Sequence, residues 1–152
     1  MNANIQRWLD ENFVPADDKY VQDLDLMRLG YMRALLWSEY VSTDKNDEDY
    51  EVALEERFNT YELPDEFTHR CRGEVWRFVE VMLPDETWRL DPDMAGIDLW
   101  LTRQGHGAGY GDGDWDKLAG RKVDKYMYEL VKLLFPNETY VYVGDDGLLY
   151  FG

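Results

Sequence analysis

"LTRQGHGAGYGDGDWD", residues 101–116, decides how this chain is read, because glycine takes every second position from Gly105 to Gly113 and one of the two histidines, His106, lies among them. If the segment is extended, Gly105, Gly107, Gly109, Gly111 and Gly113 share one face, and His106, Ala108, Tyr110, Asp112 and Asp114 share the other. One side is then bare backbone. Each glycine in a strand costs roughly 0.5–1 kcal/mol in lost packing and added chain entropy, so such a run needs a compensating contact. Two kinds of contact fit. An aromatic ring such as Trp100 or Trp115 packs over the bare face of a bulged hairpin. Alternatively the segment is a binding site, in which Arg103 and the amides of Gly105, Gly107 and Gly109 meet an anion, with His106 and Tyr110 as hydrogen-bonding groups. A catalytic use of His106 as general base, oriented by Asp98 or Asp112, is the third reading; no serine or cysteine nucleophile stands beside it in the sequence, so a non-enzymatic role is favoured.

Working outward, "IDLWLTR" (97–103) is rich in bulky apolar residues and reads as a strand leading into the glycines. After them, Leu118, Val123, Tyr126, Leu130, Val131 and Leu134 recur at broadly helical spacing and predict a helix over 116–135. Residues 139–152 give two short apolar runs around Gly144-Asp145-Asp146-Gly147, a hairpin pattern. Upstream, Phe67, Cys71, Val75, Phe78 and Met82 form a stripe three or four residues apart, so a helix is expected over 64–83, opened by Pro64 and stopped by Pro84. Residues 17–41 read as the longest helix, with Tyr20, Leu24, Met27, Tyr31, Leu35 and Tyr40 near helical spacing and Asp17 and Asp18 at its positive end. A short amphipathic helix carrying Ile5, Trp8, Leu9 and Phe13 precedes it and ends at Pro15. A further helix is expected from Asp47 to Phe58. The fold class is therefore α+β: three or four N-terminal helices, then a small antiparallel sheet with one more helix packed on it.

The 152 residues fit one domain, with an acidic helical part at 1–63 and a core at 64–152. With 45% hydrophobic and 15% aromatic residues the chain has material for a real core. Its formal charge of −16 repels nucleic acid and anionic membrane, so neither is expected as a direct partner. Cys71 is the single cysteine and has no internal partner; with no secretory signal or long apolar run, a cytoplasmic setting is expected.

The acids are densest in residues 44–66. If Asp47–Phe58 is helical, Asp47, Glu48, Asp49, Glu51, Glu55 and Glu56 spread over ~18 Å at ~1.5 Å per residue, or about one charge per 3 Å. Duplex DNA presents one per ~1.7 Å, so charge mimicry of nucleic acid is one use of this face, and simple solvation is the other. Asp112, Asp114 and Asp116 alternate as in the opening of a calcium loop, but position six is Lys117 and position twelve is Val123, which excludes an EF-hand. His69, His106 and Cys71 are too few and too scattered for zinc, and no metal or cofactor is expected.

"GIDLWLTRQGHGAGYGDGDWD", together with the terminal "YVYVGDDGLLYFG", resembles a family of small uncharacterised bacteriophage proteins whose core reads G-x-D-F/L-W-L-T-R-N/Q-G-H-G-A-G-F/Y, followed by an aspartate and a glycine-containing hairpin. The resemblance covers roughly residues 64–152 and is specific over 96–110, where Asp98, Trp100, Thr102, Arg103, Gly105, His106, Gly107 and Gly109 match. Leu99 and Tyr110 stand where phenylalanine is usual, Gln104 stands for asparagine, and Gly111 stands where tryptophan often follows. That last departure leaves its packing role to Trp115. The resemblance implies a phage or phage-derived origin and brings no chemistry with it. Combined with the charge, it leads to the expectation of an acidic accessory protein that binds and modulates or inhibits a host protein with a basic surface, such as a nucleic-acid-binding defence component. A small-molecule or nucleotide binding protein using the Arg103/His106 segment is the alternative, and a small hydrolase with His106 as base is the third.

Overall fold

Two glycines, Gly30 and Gly96, set the centre of the fold. The computed structural model describes residues 18–44 and 47–152, in the order α1 (Asp18–Ser38), β1 (Tyr40–Asp44), β2 (Asp47–Ala53), a 3-10 turn (Leu54–Glu56), α2 (Asp65–Met82), a second 3-10 turn (Thr87–Leu90), α3 (Pro92–Arg103), α4 (Asp114–Ala119), α5 (Asp124–Leu134), β3 (Val141–Val143) and β4 (Leu149–Phe151). The architecture is α+β with a helical majority and two separate antiparallel hairpins, β1–β2 and β3–β4. Helices α1 and α3 cross with their backbones touching. A Cβ on Gly96 would lie 1.9 Å from the Met27 carbonyl oxygen, and one on Gly30 would lie 2.2 Å from that of Asp93. No residue larger than glycine fits between them, so the pair of hydrogens is what lets the helices approach.

Around this crossing the apolar spacing read from the sequence of α1 and α2 does what helical periodicity predicts. Leu24, Met27, Tyr31 and Leu35 of α1 and Phe67, Cys71, Val75, Phe78 and Met82 of α2 are all buried. The large rings Trp88, Trp100 and Trp115 are fully enclosed, so the core holds the chain's heaviest apolar payload. The terminal hairpin also forms as expected: Val141 pairs with Phe151 and Val143 with Leu149. Its turn closes through Gly144 N–H to the Leu148 carbonyl (2.8 Å) and Gly147 N–H to the Gly144 carbonyl (2.9 Å). The helix expected on Ile5–Phe13 lies outside the described residues.

Three expectations are corrected. The segment 97–103 is the second half of α3, not a strand. Its start is written in Asp91-Pro92: the Asp91 side chain accepts the Met94 N–H (3.1 Å), and proline follows at the first helical turn. The helix is buried on most of its circumference, with Ala95, Leu99, Trp100, Leu101, Thr102 and Arg103 all inside. Burial on several faces erases the 3.6-residue alternation and leaves a continuous apolar run that imitates a buried strand.

Residues 47–53 form strand β2 instead of a helix, and only Leu54–Glu56 continues as a 3-10 turn. Tyr50 and Val52 alternate with acids as a strand requires, and pairing of Tyr40 with Ala53, Val41 with Val52 and Ser42 with Glu51 selects that period over the helical one. Asp47, Glu48, Asp49 and Glu51 are thus strand positions, and their side chains lie outside the described part of the structure. Finally, the helix expected over 116–135 is two helices. Gly120 ends α4 in the left-handed region (φ 70°), and the Asp116 carboxylate accepts the N–H groups of Val123 (2.7 Å) and Asp124 (2.9 Å) to start α5 in a new direction.

Candidate functional site

The five glycines of the 105–113 segment all adopt positive φ, between 67° and 110°, so the segment is a succession of turns and not the extended ribbon expected from its alternation. Close approach is required at one of the five, Gly109, where the chain meets the preceding helix. A Cβ on Gly109 would stand 2.4 Å from Thr102 Oγ1 and 2.8 Å from the Asp98 carbonyl oxygen. The chain therefore folds back flat against the last two turns of α3. Tyr110 follows it inward: its N–H donates to Thr102 Oγ1 (2.9 Å) and its hydroxyl to the Ala95 carbonyl (2.6 Å). Its ring stacks on Phe78, with centroids 5.5 Å apart. Burial pushes the Tyr110 hydroxyl well above its ordinary ionisation range.

The far half of the loop is held by carboxylates. Asp124, itself buried, accepts the N–H groups of Gly111 (2.8 Å) and Gly113, one on each oxygen. Asp98 accepts the Trp115 indole N–H (2.7 Å). Desolvation raises the Asp98 carboxyl to about 6; the indole bond opposes the shift, while Asp124, Asp114 and Asp112 add to it. Trp115 is fully buried, with its ring 5.9 Å from that of Tyr110. Most of the quoted stretch is a clasp between α3, α4 and α5.

Arg103 and His106 do not meet. Arg103 is buried, with Nη1 2.7 Å from Glu74 Oε2 and 2.8 Å from the Tyr31 hydroxyl; that hydroxyl in turn donates to Glu74 Oε1 (2.9 Å). Burial works against the Arg103 charge, but Tyr31 and Glu74 outweigh it and raise its pKa. His106 lies on the surface, with Nε2 3.6 Å from Glu39 Oε1, too long for a hydrogen bond. Its backbone N–H is already given to the Leu101 carbonyl (3.1 Å). The orienting partners expected for a catalytic His106 are elsewhere: Asp98 serves Trp115, and Asp112 is exposed. Gln104 anchors the loop on its other side, donating to Glu39 (3.2 Å) and exchanging hydrogen bonds with the backbone of Thr139.

Two concavities flank the end of α3. One, of about 580 Å³, runs along the outer face of the loop past Gly105, Gly107 and Ala108 to Lys125, Tyr128 and Lys132. Lys132 is committed there, since its ammonium donates to the Thr102 carbonyl (2.8 Å). The other, of about 360 Å³, opens between α2 and the residues following α5, and its charged lining is Arg70, Glu74, Arg77 and Arg103. Arg70, Glu74 and Arg77 were not singled out from the sequence. Their spacing, i, i+4, i+7 beside the apolar stripe of α2, is the signal that places them on one edge of a helix.

Compared with protein-family models, with curated proteins and with solved structures, the chain matches none.

Proposed function

We propose that this chain is a phage-encoded acidic accessory protein that binds and modulates a host protein with a basic surface. The observation that supports this is how the charges are distributed. Many arginines are turned onto the protein's own carboxylates: Arg33 on Asp93, Arg72 on Asp25, Arg89 on Asp23, Arg103 on Glu74 and Arg121 on Asp85. The excess of acid faces outward. Glu55, Glu56, Glu62, Asp65 and Glu66 are exposed along the segment that enters α2, and Tyr61 projects among them with 87% of its surface in water. An exposed aromatic inside a negative field is the arrangement that anchors a partner after electrostatic steering has brought it close.

The helical charge row that duplex mimicry needs does not apply to a strand at 47–53, so the proposal is charge-steered docking without mimicry. Among the described residues no helix is long and apolar enough to cross a membrane. The small-ligand alternative loses its shared site once Arg103 and His106 face different carboxylates. A hydrolase at His106 has no support beyond the exposed imidazole.

The test is retention of host proteins on the immobilised chain at low and high salt. A basic protein held at low salt should be released as salt rises, and both Tyr61→Ala and the triple change Glu62→Gln, Asp65→Asn, Glu66→Gln should weaken its capture. Capture that ignores salt and these substitutions, or no capture at all, overturns the reading.

A further inference from the structure

Positive charge is scarce in a chain of net charge −16, yet Arg70, Arg77 and Arg103 line one concavity together with a single carboxylate, Glu74. Glu74 is fully occupied by them and by Tyr31: Oε1 accepts the tyrosine hydroxyl, while Oε2 lies 2.7 Å from Arg103 and 3.6 Å from Arg70. One negative charge against three positive ones leaves a local excess of two. That excess is not used elsewhere. Among the described residues Arg77 has no carboxylate within ion-pair distance, and the buried Nε of Arg103 has no hydrogen-bond partner. That Nε is closed to solvent, so the donors open to a ligand are those of Arg70 and Arg77, both exposed.

Each guanidinium also lies near an aromatic ring. Arg70 lies 4.4 Å over the Phe151 ring, and Arg103 and Arg77 lie 4.4 Å and 5.6 Å from the Phe135 ring. A ring beside a guanidinium supports its charge without using its N–H groups, and those groups suit an oxyanion better than a halide.

We infer that this cleft is a binding site for the phosphate group of a small molecule. A phosphate monoester near neutral pH carries a charge close to −2, matching the excess of two, whereas a monocarboxylate neutralises only half of it. The volume of about 360 Å³ lies at the small end of ligand pockets, which suits a small phosphorylated metabolite. The acidic exterior does not prevent entry, because at physiological salt its field is screened beyond about 8 Å and the ligand meets the arginines at contact distance. Asn137 also lines this opening.

The experiment is thermal unfolding at fixed ionic strength with chloride, acetate, succinate, inorganic phosphate or a nucleoside monophosphate as the varied anion. Phosphate is expected to raise Tm above chloride and above both carboxylates. A larger rise with the nucleoside monophosphate assigns the site to phosphomonoesters; an equal rise assigns it to the phosphate group alone. Arg77→Gln removes an exposed guanidinium and leaves the Tyr31–Glu74–Arg103 set in place, so the variant should fold normally and bind phosphate about tenfold more weakly. Arg77→Lys should recover part of that loss. Equal Tm values in all anions, a response to succinate exceeding that to phosphate, or Arg77→Gln binding phosphate as tightly as the parent each overturn the assignment. Host-protein capture by the Tyr61 surface does not involve these arginines, so it stands or falls separately.

Discussion

The glycine loop and the arginine cleft lie on two sides of the end of α3, and they invert what the sequence advertises. The loop is conspicuous as a string of letters and is internally spent: Gly109 is pressed on α3, Tyr110 is buried, and the Gly111 and Gly113 amides are given to Asp124. The cleft is inconspicuous, three arginines dispersed over two helices, and among the described residues it leaves Arg77 without a carboxylate partner. Unusual composition marks where the backbone is constrained. Unused bonding capacity marks where a ligand would be held, and only coordinates reveal it.

The contrast breaks most easily at Arg103, which belongs to the motif in sequence and to the cleft in space. Arg103→Ala should cost about 3–5 kcal/mol in urea unfolding, because Glu74 would be left buried beside Tyr31 with its main cation gone. A neutral result would mean that the arginine is kept for a ligand and not for the fold. Next in size is Gly109→Ala. The added methyl meets Thr102 and the Asp98 carbonyl at a positive φ, and the expected loss is about 3 kcal/mol. Tolerance of that change would show that the loop is not clamped to α3 at all.

A smaller effect sharpens the picture through pH. Burial pushes the Asp98 carboxyl up to about 6 in the folded protein, against about 4 for a solvated aspartate, so the folded state holds the proton more tightly. The stabilisation tied to the protonated form is complete below the lower value and is lost as pH rises through the higher one. Melting temperature should therefore carry a downward component between about pH 4 and about pH 7 that Asp98→Asn removes, the asparagine oxygen still accepting the Trp115 N–H. An unchanged slope in the variant would assign the titration to another group. The smallest effect is expected at His106→Ala, within about 0.5 kcal/mol, since the imidazole is exposed and its contact with Glu39 is loose. A larger loss would make Glu39–His106 part of the clasp.

What the sequence determined by itself was carried by local signals: α1 and α2 are legible because buried residues recur at helical spacing among solvated ones, and the terminal hairpin because a glycine turn at 144–147 divides two apolar runs. The glycine alternation was legible as an unusual backbone, but the close approach read from it holds chiefly at Gly109; what the five share is positive φ, and no tryptophan among the described residues covers them. Tertiary structure decided the rest. It made 97–103 a helix, because a segment enclosed on several sides loses its period and only Asp91-Pro92 upstream betrays the turn. It made 47–53 a strand, because pairing with β1 arbitrated between two periods that both fit. It sent Arg103 to Glu74 and His106 to Glu39 although three positions separate them, because a helix end and a turn aim successive side chains in unrelated directions. No pattern along one chain encodes that divergence; it follows from where α2 offers Glu74 and the chain just after α1 offers Glu39.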